Sequence, residues 1–157
     1  MDTLFLSVRK VEDPHSRELL GEEVVDIFIN GRLLQDIIYD VEAPFMIRDG
    51  KEPQRGHFAS LSPAFVFLPC RNLLGEPDFS LYPYDEEGQV PLLRCGCGDI
   101  DCGPVYATII IESDTVVWSD IGNPPMKRRK NPWDYSSLHF VFDKKQYITE
   151  LMKRCPE

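Results

Sequence analysis

Two β-branched runs separated by a short polar turn constrain this chain more than any other feature. Val105 to Glu112 and Thr115 to Trp118 are rich in Val, Ile and Thr and flank Ser113-Asp114. Such runs satisfy their backbone groups by pairing with each other across a tight turn, so a β-hairpin is predicted here.

Shorter signals surround that hairpin. Leu4, Leu6 and Val8 alternate with Phe5, Ser7 and Arg9, the pattern of a strand with one buried face, and Pro14 ends it. A second strand, Val24 to Ile29, runs into Asn30-Gly31. Leu33, Leu34, Ile37, Ile38 and Val41 then recur at helical spacing. Pro44 and the polar stretch Arg48 to Gly56 read as a long connection, and Ala64 to Leu68 as a buried strand closed by Pro69. Gly75 to Gly88 reads as an exposed loop before a short strand at Val90 to Leu93. Ile121 to Pro132 is turn-rich and basic, and Leu138 to Phe142 is a last strand. Asp143 with Gln146 three residues later makes a capping pair for a final helix, on which Tyr147, Ile148, Leu151 and Met152 share a face. The fold class expected is α+β, a largely antiparallel sheet with a helix after the second strand and a C-terminal helix.

A chain of 157 residues with 43% hydrophobic and 27% charged residues buries roughly two thirds of its unfolded surface, so a single domain over 1–157 is expected. The N-terminus has an acid, Asp2, where a signal peptide needs bases, and no apolar run approaches the ~20 residues that span a bilayer. Cys70, Cys95, Cys97, Cys102 and Cys155 are odd in number, which argues against a disulfide framework. These features point to a cytoplasmic protein that does not span a membrane.

Charge is the most informative global property. The formal net charge is −9, and the segment from Glu76 to Asp120 carries all of it. Its ten acids are Glu76, Asp78, Asp85, Glu86, Glu87, Asp99, Asp101, Glu112, Asp114 and Asp120, against the single base Arg94, while the remaining residues balance. Such a segment disfavours nucleic acid as a direct ligand, because that affinity rests on Lys and Arg neutralising phosphates. It favours a basic protein partner, such as a nuclease with a cationic cleft, through long-range steering. Glu76, Asp78, Asp85, Glu86, Glu87, Asp99, Asp101, Asp114 and Asp120 are the candidate partner-binding residues. The plain alternative is an acidic surface that serves solubility. The run Lys127-Arg128-Arg129-Lys130 reads as a solvated loop that balances nearby carboxylates.

Cys95-Gly96-Cys97-Gly98-Asp99-Ile100-Asp101-Cys102-Gly103 is the one local sequence that looks chemically deliberate. Glycines beside the cysteines permit positive φ and close backbone approach. Cys95, Cys97 and Cys102 could supply three ligands of a tetrahedral zinc site, with Cys70, His57 or His139 as the fourth. The spacing is not the C-x-x-C pair of most zinc knuckles, and Asp99 and Asp101 would raise a thiol pKa rather than lower it. A tight turn with small buried thiols is the favoured reading, with zinc next and redox chemistry last.

No catalytic residue is assigned. His15, His57 and His139 are scattered, and no nucleophile elbow, phosphate loop or dinucleotide fingerprint is present. His139, within an apolar stretch, reads as a core histidine. A cysteine enzyme pairing Cys97 with His57 or His139 is the least favoured alternative. Trp118, Trp133 and Tyr135 flank the basic loop and read either as core or as an anchor for a partner.

Asn30-Gly31 with Leu34 after a strand, the C-x-C-G-D-x-x-C-G turn from Cys95 to Gly103, Val117-Trp118, and the ending Phe140-x-Phe142-Asp143-x-x-Gln146-Tyr147 resemble a group of small uncharacterised bacterial proteins over most of the chain. No activity comes with that resemblance. In size and charge alone the chain is similar to immunity proteins. The expectation is therefore a non-enzymatic immunity protein or antitoxin that neutralises a basic toxin, with a zinc-stabilised regulatory domain as the alternative.

Overall fold

The computed structural model describes residues 1–13, 20–54, 58–77, 88–95 and 104–154. Its class is α+β, with antiparallel sheets, a helix after the second strand and a helix near the C-terminus. Strands β1 (Leu4–Lys10), β2 (Glu23–Ile29) and β3 (Arg32–Leu33) form a three-stranded sheet in that order. The two-residue turn Asn30-Gly31, with φ of 53° and 80°, closes β2 onto β3. Both positions lie in the left-handed region that suits tight hairpins, and Asn and Gly tolerate it best. Asn30 also accepts the Thr3 N–H at 2.9 Å and donates to Asp2 at 2.8 Å, tying the turn to the start of β1.

The second sheet has the order β4-β5-β6-β7-β8, from β4 (Phe58–Ala59), β5 (Val90–Cys95), β6 (Val105–Ile111), β7 (Thr115–Gly122) and β8 (Phe140–Asp143). The predicted hairpin is its centre, with Ile109 opposite Trp118 and Ile111 opposite Val116. Bridges between Asp2 and Phe142 and between Val25 and Leu61 join the two sheets, and one buried apolar cluster runs through both.

Helix α1 (Leu34–Arg48) buries Leu34, Ile38 and Met46, and Ile37 and Val41 are partly buried, as their spacing predicts. The predicted end at Pro44 is corrected: the helix continues through it. Pro44 lies on the exposed side, so the hydrogen bond its ring forbids leaves a carbonyl that water can reach. The helix stops at Gly50, φ 77°, whose N–H donates to Ile47 O, while Lys51 N–H donates to Met46 O, a Schellman ending.

The predicted strand Ala64 to Leu68 is also corrected. Pro63–Phe65 forms a 3₁₀ turn, and the extended pairing nearby is β4 instead. Val66 and Phe67 are buried as expected, but proline at the first position of the turn starts a helical segment and cannot donate to a ladder. A second 3₁₀ turn, Asn72–Leu74, ends at Gly75 with φ 83°. A Cβ there would lie 2.4 Å from Ile109 O, so only glycine allows the turn to seat on β6.

Helix α3 (Lys144–Leu151) follows α2 (Pro124–Lys127) in chain order and starts as predicted, with Asp143 accepting the Gln146 N–H at 3.0 Å. The Gln146 side chain does not close the box. It spans the peptide of β1, accepting from Leu4 N–H at 3.2 Å and donating to Leu4 O at 2.6 Å. One turn later Glu150 accepts the Leu6 N–H at 2.8 Å. Four helical residues rise ~6 Å, close to the two-residue repeat of a strand. The helix thereby pairs the outer edge of β1, an edge that would otherwise invite association. Tyr147 and Leu151 are fully buried and Ile148 partly so, but Met152 is exposed.

Candidate functional site

The C-terminal end of β7 is irregular. Pairing with β6 slips between Tyr106–Gly122 and Thr108–Ser119, and within the slip Asp120 takes φ 49°. A bulge of this kind turns a side chain out of the ladder, and a left-handed non-glycine is held there only by its surroundings. The Asp120 carboxylate meets Lys127 Nζ at 2.6 Å through Oδ1 and Gln89 Nε2 at 3.2 Å through Oδ2, and stays 63% exposed. Gln89 stands two positions after the Asp85-Glu86-Glu87 run in the sequence.

Lys127 belongs to α2, which Pro124-Pro125 initiates after Asn123. Gly122 allows Lys127 and Tyr135 to close over it, since a Cβ would lie 2.8 Å from Lys127 Cδ and 2.9 Å from the Tyr135 ring. The chain then runs as a strap, residues 129–138, across the C-terminal half of α1. Tyr135 Oη donates to Glu42 at 2.5 Å, and Trp133 Nε1 donates to Asp49 at 2.9 Å. Arg48 donates to Asn131 O at 2.8 Å, Arg129 pairs with Asp49 at 3.0 Å, and Phe45 stacks on Trp133.

Between strap and bulge lies a cleft of about 370 Å³, lined among others by Asp120, Lys127, Trp133, Asp134, Tyr135 and His139. Burial pushes the Glu42 carboxyl beneath it up to about 7, against the opposing effect of the Tyr135 hydrogen bond. The Trp133 indole, then Arg48 and Arg129, hold Asp49 below the ordinary carboxylate range. The Ser136 hydroxyl and N–H do the same for Asp134.

Of the predicted partner-binding acids, Glu76, Asp114 and Asp120 fall among the described residues. Asp78, Asp85, Glu86, Glu87, Asp99 and Asp101 lie outside them, as do Cys97, Cys102, His15 and His57. The three described acids do not form one patch. Asp114 sits at the tip of the β6–β7 turn, six residues and therefore ~20 Å along the strand from Asp120. Glu76 follows the Gly75 turn and pairs with Arg71. The expectation that Lys127 to Lys130 balances carboxylates holds for Lys127 with Asp120 and Arg129 with Asp49.

The predicted core histidine is corrected: His139 is exposed at the cleft, because it precedes β8 while Leu138 takes the inward position. Trp118, Trp133 and Tyr135 are buried, which makes all three core residues. Asp134, Ser136 and His139 have the composition of a hydrolytic triad, but Ser136 turns to Asp134, and no hydrogen bond joins it to His139 among the described residues.

Of the candidate zinc ligands, Cys95 ends β5 opposite Phe58, Cys70 lines a groove with Phe67, Pro69 and Arg154, and His139 lies at the cleft. Among the described residues no three His, Cys, Asp or Glu side chains form a metal-binding group. No described helix is long and apolar enough to cross a membrane.

The anchors Glu42 and Asp49 went unread in the sequence. Glu42 continues the Leu34, Ile38 series by one more turn, so its inward position was available from spacing alone.

Family models, curated proteins and solved structures were all compared with the chain, and none matches.

Proposed function

We propose that this chain is a cytoplasmic, non-enzymatic binding protein of the immunity-protein or antitoxin kind, which neutralises a basic toxin, such as a nuclease domain, through an acidic surface. Nucleic acid is not its direct ligand on this reading. The supporting observation is how the cations are used. Arg94, the single base within residues 76–120, pairs with Glu22 outside that segment at 3.0 Å. Arg48 and Arg129 both serve Asp49. With nine more carboxylates than Lys and Arg side chains, the molecule retains a negative surplus however its pairs are drawn. The net charge of −9, carried within residues 76–120, favours encounter with a cationic protein over an anionic one, and it persists although Arg71 and Lys127 from outside the segment pair with Glu76 and Asp120.

The test is a triple reversal, Asp85→Lys, Glu86→Lys and Glu87→Lys, compared with the parent protein in affinity capture from the bacterial host at low salt. Capture of a specific basic protein, identified by mass spectrometry, should fall about tenfold or more, as expected when several steering charges are reversed together. Equal capture by both proteins would dismiss the reading.

A zinc-stabilised domain is the second proposal, and Cys95 supports it by opening the cysteine turn from a fixed strand end. Metal analysis of protein purified without chelator should then find close to one zinc per chain, because thiolate sites of this kind hold zinc tightly. Metal-free protein with unchanged thermal stability would remove the proposal.

A further inference from the structure

We infer that Cys70 and Cys155 are a redox-dependent disulfide pair, which clasps the end of α3 to the segment carrying Cys70. The site is a place of covalent modification and is independent of the acidic segment.

Three observations lead there, all on described residues next to Cys155, which itself lies outside them. First, Leu68 N–H donates to Leu151 O at 3.0 Å, so the chain crosses the C-terminal end of α3 two residues before Cys70. The Cys70 N–H then turns back to Phe67 O at 3.0 Å, which keeps the cysteine close to that crossing. Second, Cys70 and Arg154 line the same groove, of about 480 Å³, with Phe67, Leu68 and Pro69. Cys70 carries its sulfur there as a thiol and is half-buried. Arg154 immediately precedes Cys155, and one peptide moves the chain by about 3.8 Å, against the roughly 4.4–6.8 Å between Cα atoms that a disulfide spans. Third, Tyr147 and Leu151, four residues apart, are the fully buried positions of α3. The winding continues past the helix, with Met152 N–H on Ile148 O at 3.1 Å and Lys153 N–H on Glu150 O at 3.3 Å. Cys155 is the next position in the Tyr147, Leu151 series, the series that faces the core, whereas Met152 falls outside it and is exposed.

The oxidant is a small disulfide of the glutathione class. One cysteine thiolate attacks it and expels one glutathione thiolate, and the second cysteine then displaces the other glutathione from the mixed disulfide. Two protein thiols are oxidised, one glutathione disulfide is reduced to two thiols, and the two cysteine protons end on them. In a reducing compartment such bonds are transient and report redox state. The consequence of this one follows from what α3 holds. Gln146 and Glu150 bond the Leu4 and Leu6 amides along the outer edge of β1, and Lys153 Nζ donates to Leu6 O at 3.2 Å. A bond two residues beyond Lys153 fixes the end of the helix and so the cover over that edge.

The experiment equilibrates the reduced full chain with glutathione disulfide, alkylates the remaining thiols and maps linked peptides by mass spectrometry without reduction. A Cys70 to Cys155 link within one chain is expected. The melting temperature should rise by roughly 5–10 °C, because the bond closes a loop of roughly 85 residues in the unfolded chain. Hydrogen exchange at the Leu4 and Leu6 amides should slow with it. Cys70→Ser and Cys155→Ser should each abolish the link and both effects, while Cys95→Ser keeps them. Linkage of Cys70 or Cys155 to a different cysteine, a bond between two chains, or a glutathione adduct with no internal link in cooperatively folded protein would overturn the inference. A Cys70 to Cys155 link that changes neither melting nor exchange would overturn the clasp, since the bond would then constrain nothing.

Discussion

Truncating Trp118 to alanine should cost the fold roughly 3–5 kcal/mol, the usual range for removing a fully buried indole, and lower the melting temperature by on the order of 10 °C. Trp118 has no exposed surface and stands where three elements meet. Its ring packs edge-on against Phe142 of β8 at 5.0 Å and Tyr147 of α3 at 6.1 Å, and Phe140 lies across from it on β8. Its Nε1–H donates to Tyr147 Oη at 2.9 Å, and that hydroxyl donates in turn to Leu73 O in the second 3₁₀ turn. The relay therefore ties β7, α3 and the 3₁₀ turn through two hydrogen bonds that water cannot replace. Tyr147→Phe isolates the polar part, because it leaves the indole N–H and the Leu73 carbonyl unsatisfied while keeping the ring. A loss of about 2 kcal/mol is expected from it in urea unfolding. Burial has already pushed the Tyr147 phenol far above its ordinary range, so the hydroxyl stays neutral at any working pH and the loss should not vary with pH. Unfolding curves for Trp118→Ala within 1 kcal/mol of the parent would mean that this junction is not the centre of the core.

How far residues announced this architecture depends on whether local preference and tertiary need agreed. They agreed in the β6–β7 hairpin, where β-branched residues fill a pleated surface on both strands, and at Asp143, where a short acid cap precedes an amphipathic turn. At Ala64 to Leu68 they parted. Five apolar residues in a row fit a buried strand or a buried turn equally well, and Pro63 decided for the turn. At Pro44 the packing of Met46 against the core outweighed one missing hydrogen bond on the wet side of α1. The cleft was hidden for a different reason. Asp120, Lys127 and Tyr135 were each visible as charged or aromatic, but a strand bulge and a glycine contact bring them together, and neither has a pattern in the sequence. The acids flagged for charge alone met a related limit: Asp114 and Asp120 are close in sequence, yet an extended strand holds them at opposite ends of one hairpin.

The strap that walls the cleft is fastened by a group whose charge depends on pH, and its replacement should stabilise the protein. Glu42 is 2% exposed, with Tyr135 Oη at 2.5 Å, and burial raises its carboxyl from 4.5 to about 7. In the unfolded chain the same carboxyl loses its proton near its ordinary value. Below that value both states hold the proton and the residue contributes nothing to pH dependence. Between 4.5 and 7 the unfolded chain binds fewer protons than the folded one, so stability falls as pH rises, and above 7 the loss is complete. A shift of this size corresponds to roughly 3 kcal/mol as an upper figure, since each pKa unit is worth about 1.4 kcal/mol. Glu42→Gln keeps an acceptor for Tyr135 and cannot ionise. Its stability relative to the parent should be nearly equal at pH 4 and should rise by about 2–3 kcal/mol by pH 8.5, in chemical denaturation followed at both ends of that range. Parallel stability profiles for the two proteins would show that Glu42 ionises without penalty and that its carboxyl is not sealed from water. Tyr135→Phe supplies the complementary outcome. Without the hydroxyl to stabilise the carboxylate, the fall in stability should begin at the same pH but continue to higher pH and deepen, which separates the cost of burying a charge from the loss of the strap itself.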